Sequence, residues 1–248
     1  MGQVMEDKAT VAYFDEHTPE YADYRLDHAL SWIKRISGPD TTLCDVGCGV
    51  GNILELIGTE TNVKRTCGVD VSASCLARTL ARAACAETRC GSILDAEFVT
   101  GIGRRFDIVL LAAVLHHLVG KTRGESKRLA RAAVENSLKL LRDGGHLIVV
   151  EPTFSPAAAM SLVFWVKKII TTITGRRVGI FDTWNNIGAP VVSYLTTAEL
   201  VALLASGPDC RIDDVHEEEC TVNLLMRFAM ISKRSDTTVV VRKVGATP

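Results

Sequence analysis

The sequence lacks a surplus of charge of either sign, and it lacks long hydrophobic runs. Its 248 residues carry 28 Lys and Arg against 29 Asp and Glu, a formal net charge of −1. Because nucleic-acid binders usually carry basic stripes, this balance argues against a nucleic-acid partner. The most apolar stretch, residues 157–166, ends at Lys167 and Lys168, whereas a membrane-spanning helix needs about 20 residues. We therefore expect no nucleic-acid partner and no stable membrane insertion.

The chain also lacks CxxC pairs and an apolar leader. Most of its eight cysteines lie in segments that read as buried strand or helix, where free cysteine behaves as a small apolar residue. Residues 1–14 contain no apolar core of signal-peptide length, and Glu6 stands where a myristoylation site needs Ser or Thr. We expect reduced cysteines, no metal site and a cytoplasmic protein.

What the sequence does contain is an alternation of short apolar runs with helical patterns. The apolar runs cover residues 41–46, 65–70, 107–112 and 146–150, and the helical patterns between them cover 51–57, 72–85 and 125–141. This order is typical of βαβ units and predicts an α/β fold with a doubly wound, mostly parallel sheet. Further strands are expected near 211–217 and 225–232, after a helix whose start at Thr196 has a capping-box pattern with Glu199.

A glycine-rich loop follows the first predicted strand and opens the first helix. It reads Asp-Val-Gly-Cys-Gly-Val-Gly over residues 45–51. Glycine lets a backbone turn sharply and lie against a ligand. A dinucleotide fingerprint would need glycine at position 52, which is Asn52, so a dehydrogenase is disfavoured. A carboxylate beside the loop suits a cationic ligand such as S-adenosylmethionine better than a pyrophosphate.

This loop resembles the first motif of the class I, Rossmann-like S-adenosylmethionine-dependent methyltransferases, near the small-molecule branch that includes ubiquinone and menaquinone methylases. The resemblance runs from about Tyr13 to Lys233 and is weakest over residues 152–195. It implies a seven-stranded sheet with an inserted helical cap, and S-adenosyl-L-methionine as the cofactor. The regions expected on this basis are an N-terminal helical cap (1–40), a cofactor-binding core (41–151), an inserted substrate cap (152–195), the C-terminal part of the core sheet (196–235) and a tail (236–248).

The resemblance also implies the cofactor contacts. Asp70, about 20 positions after Gly51, stands where the family has a ribose-binding carboxylate, although it could instead cap the helix near Ser72. Residues 91–98 resemble the family's adenine loop, with Ser92 where Asp is usual, although an ordinary loop is the alternative. The expected cofactor-binding residues are Asp45, Gly47, Cys48, Gly49, Gly51, Asp70, Val71, Ser92, Ile93, Asp95, Ala112 and Arg25.

Two of these assignments depend on particular chemistry. Ala112 ends the fourth strand, where a small residue leaves room for the methionine half of the cofactor. Arg25 could pair with the methionine carboxylate, as an N-terminal Arg does in some quinone methylases, because a guanidinium matches that anion well. The alternative for Arg25 is a solvated helix residue.

The acceptor site is less well defined by the sequence. Methyl transfer needs mainly proximity and orientation, and a general base only where the acceptor holds its proton at neutral pH. His116 and His117 follow the fourth strand and are candidate bases or positioning residues. Glu151, at the end of the fifth predicted strand, is a candidate to bind a cationic or hydroxyl acceptor. The aromatic candidates for substrate binding, each of which could equally be part of a lid core, are Tyr13, Tyr24, Trp165, Trp184 and Tyr194.

Three functions remain open. The first is methyl transfer to an oxygen or nitrogen atom of a small, partly apolar metabolite. The second is C- or O-methylation of a quinone-like or lipid acceptor at a membrane surface, where the apolar helix over 155–174 would rest. Apolar residues surround that helix on all sides, which favours burial. The third is a non-catalytic S-adenosylmethionine-binding protein.

Overall fold

A computed structural model of the chain describes residues 23–82, 87–174, 191–207 and 209–245, without the side chains of 23, 24 and 170–174. The described residues form one seven-stranded sheet with the order β3-β2-β1-β4-β5-β7-β6. Its strands are β1 Thr42–Val46, β2 Arg65–Asp70, β3 Glu87–Cys90, β4 Phe106–Ala112, β5 Leu141–Ser155, β6 Cys210–Cys220 and β7 Lys233–Lys243.

The direction of the strands creates a cleft at one edge of the sheet. Strands β1 to β5 are parallel to one another, and β7 runs antiparallel to both β5 and β6. The chain order reverses between β1 and β4, and in such sheets ligands bind beyond the carboxyl ends of the strands at this switch point. The expected doubly wound, mostly parallel seven-stranded α/β sheet is confirmed.

Helices cover both faces of the sheet, which is why its central strands are continuously apolar. Buried side chains of α1, α2 and α3 pack on one face, and those of α4, α5 and α7 pack on the other. The helices are α1 Asp27–Ile36, α2 Asn52–Glu60, α3 Ala73–Ala81, α4 Ala96–Gly101, α5 Arg123–Lys139, α6 Ala157–Thr174, α7 Thr197–Ala205 and α8 Leu224–Phe228. The predicted capping box is confirmed, since Thr196 and Glu199 exchange both hydrogen bonds at the start of α7.

A smaller apolar cluster lies beyond the end of the main sheet. Strand β5 continues to Ser155, so residues 152–155, which we expected in the inserted cap, belong to the sheet. The cluster joins Phe154 to residues of α6 and α8, among them Met160 and Met226. Among the described residues, no helix is long and apolar enough to cross a membrane.

The C-terminal strands differ from the prediction. We expected a strand over 225–232, which is wrong: the chain forms α8 there, with the Asn223 side chain accepting a hydrogen bond from the Met226 amide at 2.8 Å. Residues 236–243, which we expected in a tail, belong to β7 between β5 and β6. A strand buried on both faces needs no alternation, and the β-branched run 237–241 suits that position.

Candidate functional site

The glycine loop between β1 and α2 adopts a backbone conformation that favours glycine. Gly47, Gly49 and Gly51 have φ values of 79°, 53° and 83°, in the left-handed region. The amides of Gly47 and Cys48 donate to the Val69 carbonyl at 2.7 and 3.1 Å, which ties the loop to β2. These bonds fix the loop at the carboxyl ends of β1 and β2.

Two of these glycines are required for different reasons. A Cβ on Gly47 would lie 2.6 Å from Cγ2 of Val114, so close packing excludes a side chain there. A Cβ on Gly49 would meet no protein atom within 4 Å. Gly49 therefore borders open space, and a side chain at this position would occupy volume that a ligand could fill.

Asp70 connects the glycine loop with the following helix. Its Oδ2 accepts a hydrogen bond from the Gly49 amide at 2.9 Å, and its Oδ1 accepts one from the Ser72 amide at 2.9 Å. The residue that caps α3 is Ser72, whose hydroxyl accepts a bond from the Cys75 amide. Asp70 therefore stands beside the open space at Gly49, where a ribose-binding carboxylate is expected.

Asp45 is a buried carboxylate beneath the loop. Burial, and then the charge of Asp70, raise the pKa of Asp45 to about 7. Within the described part of the chain its Oδ2 is buried and has no hydrogen-bond partner. A buried acceptor without a partner is costly, so this site favours a donor with positive charge. The ammonium group of S-adenosylmethionine fits this requirement, as the space at Gly49 and the carboxylate of Asp70 fit its other parts.

The expected adenine loop is anchored mainly through its backbone. The carbonyl of the buried Ile93 accepts a hydrogen bond from the Asn136 side chain at 2.7 Å. The hydroxyl of Ser92 accepts one from the Leu94 amide. Asp95 is exposed and caps α4 by accepting bonds from two amides of its first turn. Asp95 thus has a structural role that the sequence reasoning did not anticipate, and its contact with adenine stays a prediction.

The remaining predicted cofactor residues surround the same edge of the sheet. Cys48 and Ala112 are buried, and Val71 is half-buried at the end of β2. Arg25, by contrast, forms an ion pair with the buried Asp236 of β7, with Nε 3.2 Å from Oδ2. A cofactor carboxylate would have to compete with Asp236, so the role proposed for Arg25 stays a prediction.

A histidine that follows β4 and a glutamate within β5 meet just beyond the carboxyl end of β4. Oε2 of Glu151 lies 2.7 Å from Nδ1 of His116, and both side chains are buried. Oε1 of Glu151 accepts hydrogen bonds from the amides of Val114 and Leu115 at 2.7 and 2.6 Å. Both oxygens of Glu151 therefore bond to protein, and its expected contact with an acceptor stays a prediction.

The two adjacent histidines have different surroundings. Nδ1 of His116 carries the proton, because a carboxylate can only accept it. In the described residues its other nitrogen, Nε2, has no hydrogen-bond partner. Burial and the neighbouring His116 hold the pKa of His117 well below its usual value, so His117 is neutral near pH 7. His116, with its carboxylate partner, is the better candidate base.

The aromatic candidates separate into different environments. The Tyr194 ring stacks on His116 with a centroid distance of 5.1 Å and contacts Phe154 at 4.5 Å. Trp165 lies on the exposed side of α6, opposite the buried Met160 and Phe164, so its place differs from the expected pocket. The side chain of Tyr24, and Tyr13 and Trp184 entirely, lie outside the described residues.

Sequence reasoning missed the pairing of Glu151 with His116. The signal was present, because Glu151 ends the apolar run of the fifth predicted strand and His116 follows the fourth. The register of the sheet, which pairs Ala112 with Val150, brings these two chain segments together. Phe154, which supports Tyr194, was not considered.

Comparisons with known proteins agree with this geometry. Residues 44–147 match the family described as a methyltransferase domain. No curated protein sequence matches the chain. Among solved structures, an S-adenosylmethionine-dependent methyltransferase from Anabaena variabilis is 16% identical, with a TM-score of 0.62 and 97% of this chain and 96% of that chain covered.

Two further solved structures share the fold. The N-methyltransferase NodS from Bradyrhizobium japonicum, in complex with S-adenosyl-L-homocysteine, is 16% identical, with a TM-score of 0.56 and coverage of 96% of this chain and 100% of that chain. Geranyl diphosphate C-methyltransferase from Streptomyces coelicolor is 13% identical, with a TM-score of 0.62 and coverage of 98% and 100%. At these identities the likeness shows the fold alone.

Proposed function

We propose that this protein, whose residues 44–147 match a methyltransferase domain, is an S-adenosylmethionine-dependent methyltransferase that methylates an oxygen or nitrogen atom of a small, partly apolar acceptor. The observation that carries this proposal is the buried pair of His116 and Glu151 beside the carboxyl end of β4. An imidazole held by a carboxylate is suited to take a proton from a hydroxyl or amine as that group attacks.

The residues on the cofactor side of the site bind and orient S-adenosylmethionine. When bound, S-adenosylmethionine supplies an activated methyl group on a sulfonium. Asp45 offers a buried carboxylate oxygen to its ammonium, and Asp70 offers its carboxylate to the ribose hydroxyls. Gly49 leaves the volume between them open. These residues contribute by proximity and orientation, which can supply about 7–11 kcal/mol in favourable intramolecular cases.

The acceptor side moves a proton. With Nδ1–H of His116 donating to Glu151, the lone pair on Nε2 is available to accept the acceptor's proton. Glu151 keeps the ring in this tautomer and stabilises the imidazolium that forms. The Tyr194 ring, stacked on His116, offers an apolar surface to the acceptor. This combination supports a partly apolar molecule with an ionisable O–H or N–H group.

The test is turnover of the full-length protein with S-adenosylmethionine and a panel of phenols, alcohols, amines, carboxylic acids and carbon acids, with the methylated atom identified by NMR. We expect an O- or N-methyl product. His116→Gln should lower kcat by about 10²–10⁴-fold, the usual contribution of a general base, and leave cofactor affinity unchanged. A C-methyl product, or wild-type turnover by His116→Gln, would contradict the proposal. Tight cofactor binding with no turnover of any acceptor would favour the non-catalytic alternative.

A further inference from the structure

A groove lies between helices α5 and α7. It encloses about 300 Å³, which is at the lower end of the range of about 300–1,000 Å³ that is typical of small-molecule sites. None of the described residues assigned above to the cofactor or the acceptor lines it. We call this surface the α5–α7 groove, and its lining residues are Lys127, Arg128, Arg131, Leu195, Glu199, Ala202 and Leu203.

The α5–α7 groove combines an apolar floor with a basic wall. Leu195 and Leu203 are buried and form the floor. On the wall, Arg128 and Arg131 are exposed and stand about one turn apart on α5. None of the exposed large apolar side chains in the described part of the chain belongs to α5 or α7. The apolar surface is therefore confined to the groove, which suits a small molecule better than the broad face of another macromolecule.

The acidic side chain in the lining, Glu199, is neutralised within the protein. Its carboxylate accepts hydrogen bonds from both Nη atoms of Arg123 at 3.0 and 2.7 Å and from the Lys127 ammonium at 2.6 Å. Although partial burial opposes the shift, these hydrogen bonds lower the pKa of Glu199 to about 2, so the carboxylate is ionised and paired at neutral pH. Glu199 therefore does not offset the charges of the two exposed arginines.

Arg128 and Arg131 have no carboxylate partner among the described residues. Nη1 of Arg131 donates to the Ser206 hydroxyl at 2.6 Å, which leaves most of the five donors of its guanidinium available. The acidic residues nearest in sequence do not pair with them. Glu125 accepts a hydrogen bond from a backbone amide, and Glu135, one turn after Arg131, forms no ion pair within the described residues. Two positive charges therefore remain unbalanced at the groove.

The walls of the α5–α7 groove are held in place before any ligand binds. The buried Arg123 joins α5 to α7 through Glu199, and its Nη2 also donates to the Tyr194 carbonyl at 2.8 Å. Glu199 and Thr196 form the capping box that begins α7. Because this network fixes the two helices relative to each other, a ligand would bind with little loss of conformational entropy in the protein.

We propose that the α5–α7 groove binds a small phosphate monoester, whose phosphate group lies between Arg128 and Arg131 and whose apolar part lies on Leu195 and Leu203. A phosphate monoester carries a charge of about −1.5 to −2 and three strong acceptor oxygens, which matches two unpaired guanidinium groups. Contact with the leucines removes apolar surface from water. The proposal concerns a site separate from the cleft and does not depend on the acceptor proposed above.

NMR of the leucine methyl groups tests the proposal on the full-length protein with S-adenosyl-L-homocysteine bound, since that ligand occupies the cofactor site. Phenyl phosphate is the probe. Inorganic phosphate, which lacks an apolar part, and benzoate, which carries a single negative charge, are the comparisons. We expect phenyl phosphate to shift the methyl signals of Leu195 and Leu203. Its affinity should exceed that of inorganic phosphate by about tenfold and that of benzoate by about fivefold.

Two variants and a matched control locate the site. Arg128→Gln with Arg131→Gln should weaken the binding of phenyl phosphate at least about tenfold, because both guanidinium groups are lost. Ala202→Asp, at an exposed position of the lining, should weaken it about fivefold by placing a negative charge in the groove. The control, Arg65→Gln with Arg142→Gln, removes the same charge from exposed arginines near the amino ends of β2 and β5 and should leave the affinity unchanged.

Circular dichroism and the affinity for S-adenosyl-L-homocysteine report whether each variant is folded. The proposal is overturned if phenyl phosphate does not bind, or if inorganic phosphate or benzoate binds as tightly. It is also overturned if the variant that lacks Arg128 and Arg131 keeps the affinity of the wild type, or if the control loses as much affinity as that variant. Shifts confined to Leu115, beside His116, would place the probe in the cleft and equally contradict the proposal.

Discussion

The cofactor half and the acceptor half of the cleft are built in different ways. The cofactor half uses short segments directly after β1 and β2, in which backbone amides of the glycine loop bond to β2 and to Asp70. The acceptor half joins residues far apart in the chain. Glu151 of β5 reaches His116, which follows the adjacent strand β4, and Tyr194 stacks on His116 from the segment before α7.

Because of this difference, one half of the cleft governs cofactor binding and the other half governs catalysis. A local loop can hold one cofactor wherever the sheet positions it, because glycine conformations and a nearby carboxylate suffice. The acceptor half depends on the register of β4 and β5 and on segments that follow them. Substitutions in the first half should therefore affect cofactor affinity, and substitutions in the second should affect the rate after the cofactor is bound.

The largest expected effect on cofactor affinity is that of Gly49→Val. The new side chain would fill the open space and force a β-branched residue to a φ of 53°. Cofactor affinity measured by calorimetry should fall at least about a hundredfold, or about 2.7 kcal/mol, while the strain lowers stability by about 1–2 kcal/mol. Gly58→Val is the control, because Gly58 also has open space but lies in α2 without a left-handed backbone. Normal affinity in Gly49→Val would refute the placement of the cofactor.

Glu151→Gln should lower kcat and leave cofactor affinity unchanged. The amide oxygen can still accept from the Val114 amide, but its NH₂ group would turn towards Nδ1 of His116 and move the ring proton to Nε2. The base would then be lost, and kcat should fall by about 10²–10⁴-fold with cofactor affinity unchanged. Adding His116→Gln should cause little further loss, because the two residues act as a unit. Additive losses in the double variant would show independent roles.

Asp70→Ala should weaken cofactor binding at least about tenfold, equivalent to about 1.4 kcal/mol, because the ribose carboxylate is removed and the Gly49 amide loses its acceptor. Ser72→Ala provides a comparison at the next helix. It removes the cap of α3 and should cost about 1 kcal/mol of stability without changing affinity. Equal calorimetric affinities of the two variants would argue against the ribose role of Asp70.

The last prediction concerns the pH dependence of stability, and Asp45→Asn tests it. The pKa of Asp45 rises from 3.8 to about 7 on folding, so between these values the folded protein holds a proton that the unfolded chain has lost. This carboxyl therefore lowers stability as the pH rises through that window. Above about pH 7, Asp45→Asn should be more stable than the wild type by at least about 1.4 kcal/mol, the equivalent of one pKa unit, and should bind the cofactor more weakly.

Urea denaturation at several pH values checks the prediction for Asp45. The gain in stability should vanish below about pH 4, where the carboxyl is protonated in both folded and unfolded chains. A gain that does not depend on pH would mean that the carboxylate is not the destabilising group. Stronger cofactor binding by the variant would exclude Asp45 as a partner of the ammonium.

Local patterns were sufficient to predict the parallel part of the fold and the cofactor loop. The runs that became β1, β2 and β4 are short, apolar and bounded by turns, and the capping box at Thr196 is a four-residue signal. The prediction failed at β7 because residues 237–241 look like any short β-branched run until β5 and β6 pair with them on both edges of the strand. The run at 225–232 was read as a strand, although Asn223 starts a helix there.

The sequence by itself determined the segments whose structure depends on local interactions: a left-handed glycine loop, an acidic residue before it and another acidic residue at the end of the next strand. Only the tertiary structure decided which carboxylate holds which histidine, which side of α6 remains exposed, and where the last strand lies. The reason is that a turn or a cap depends on a few neighbouring residues. Pairing between strands and packing between helices depend on contacts that form only when distant parts of the chain meet.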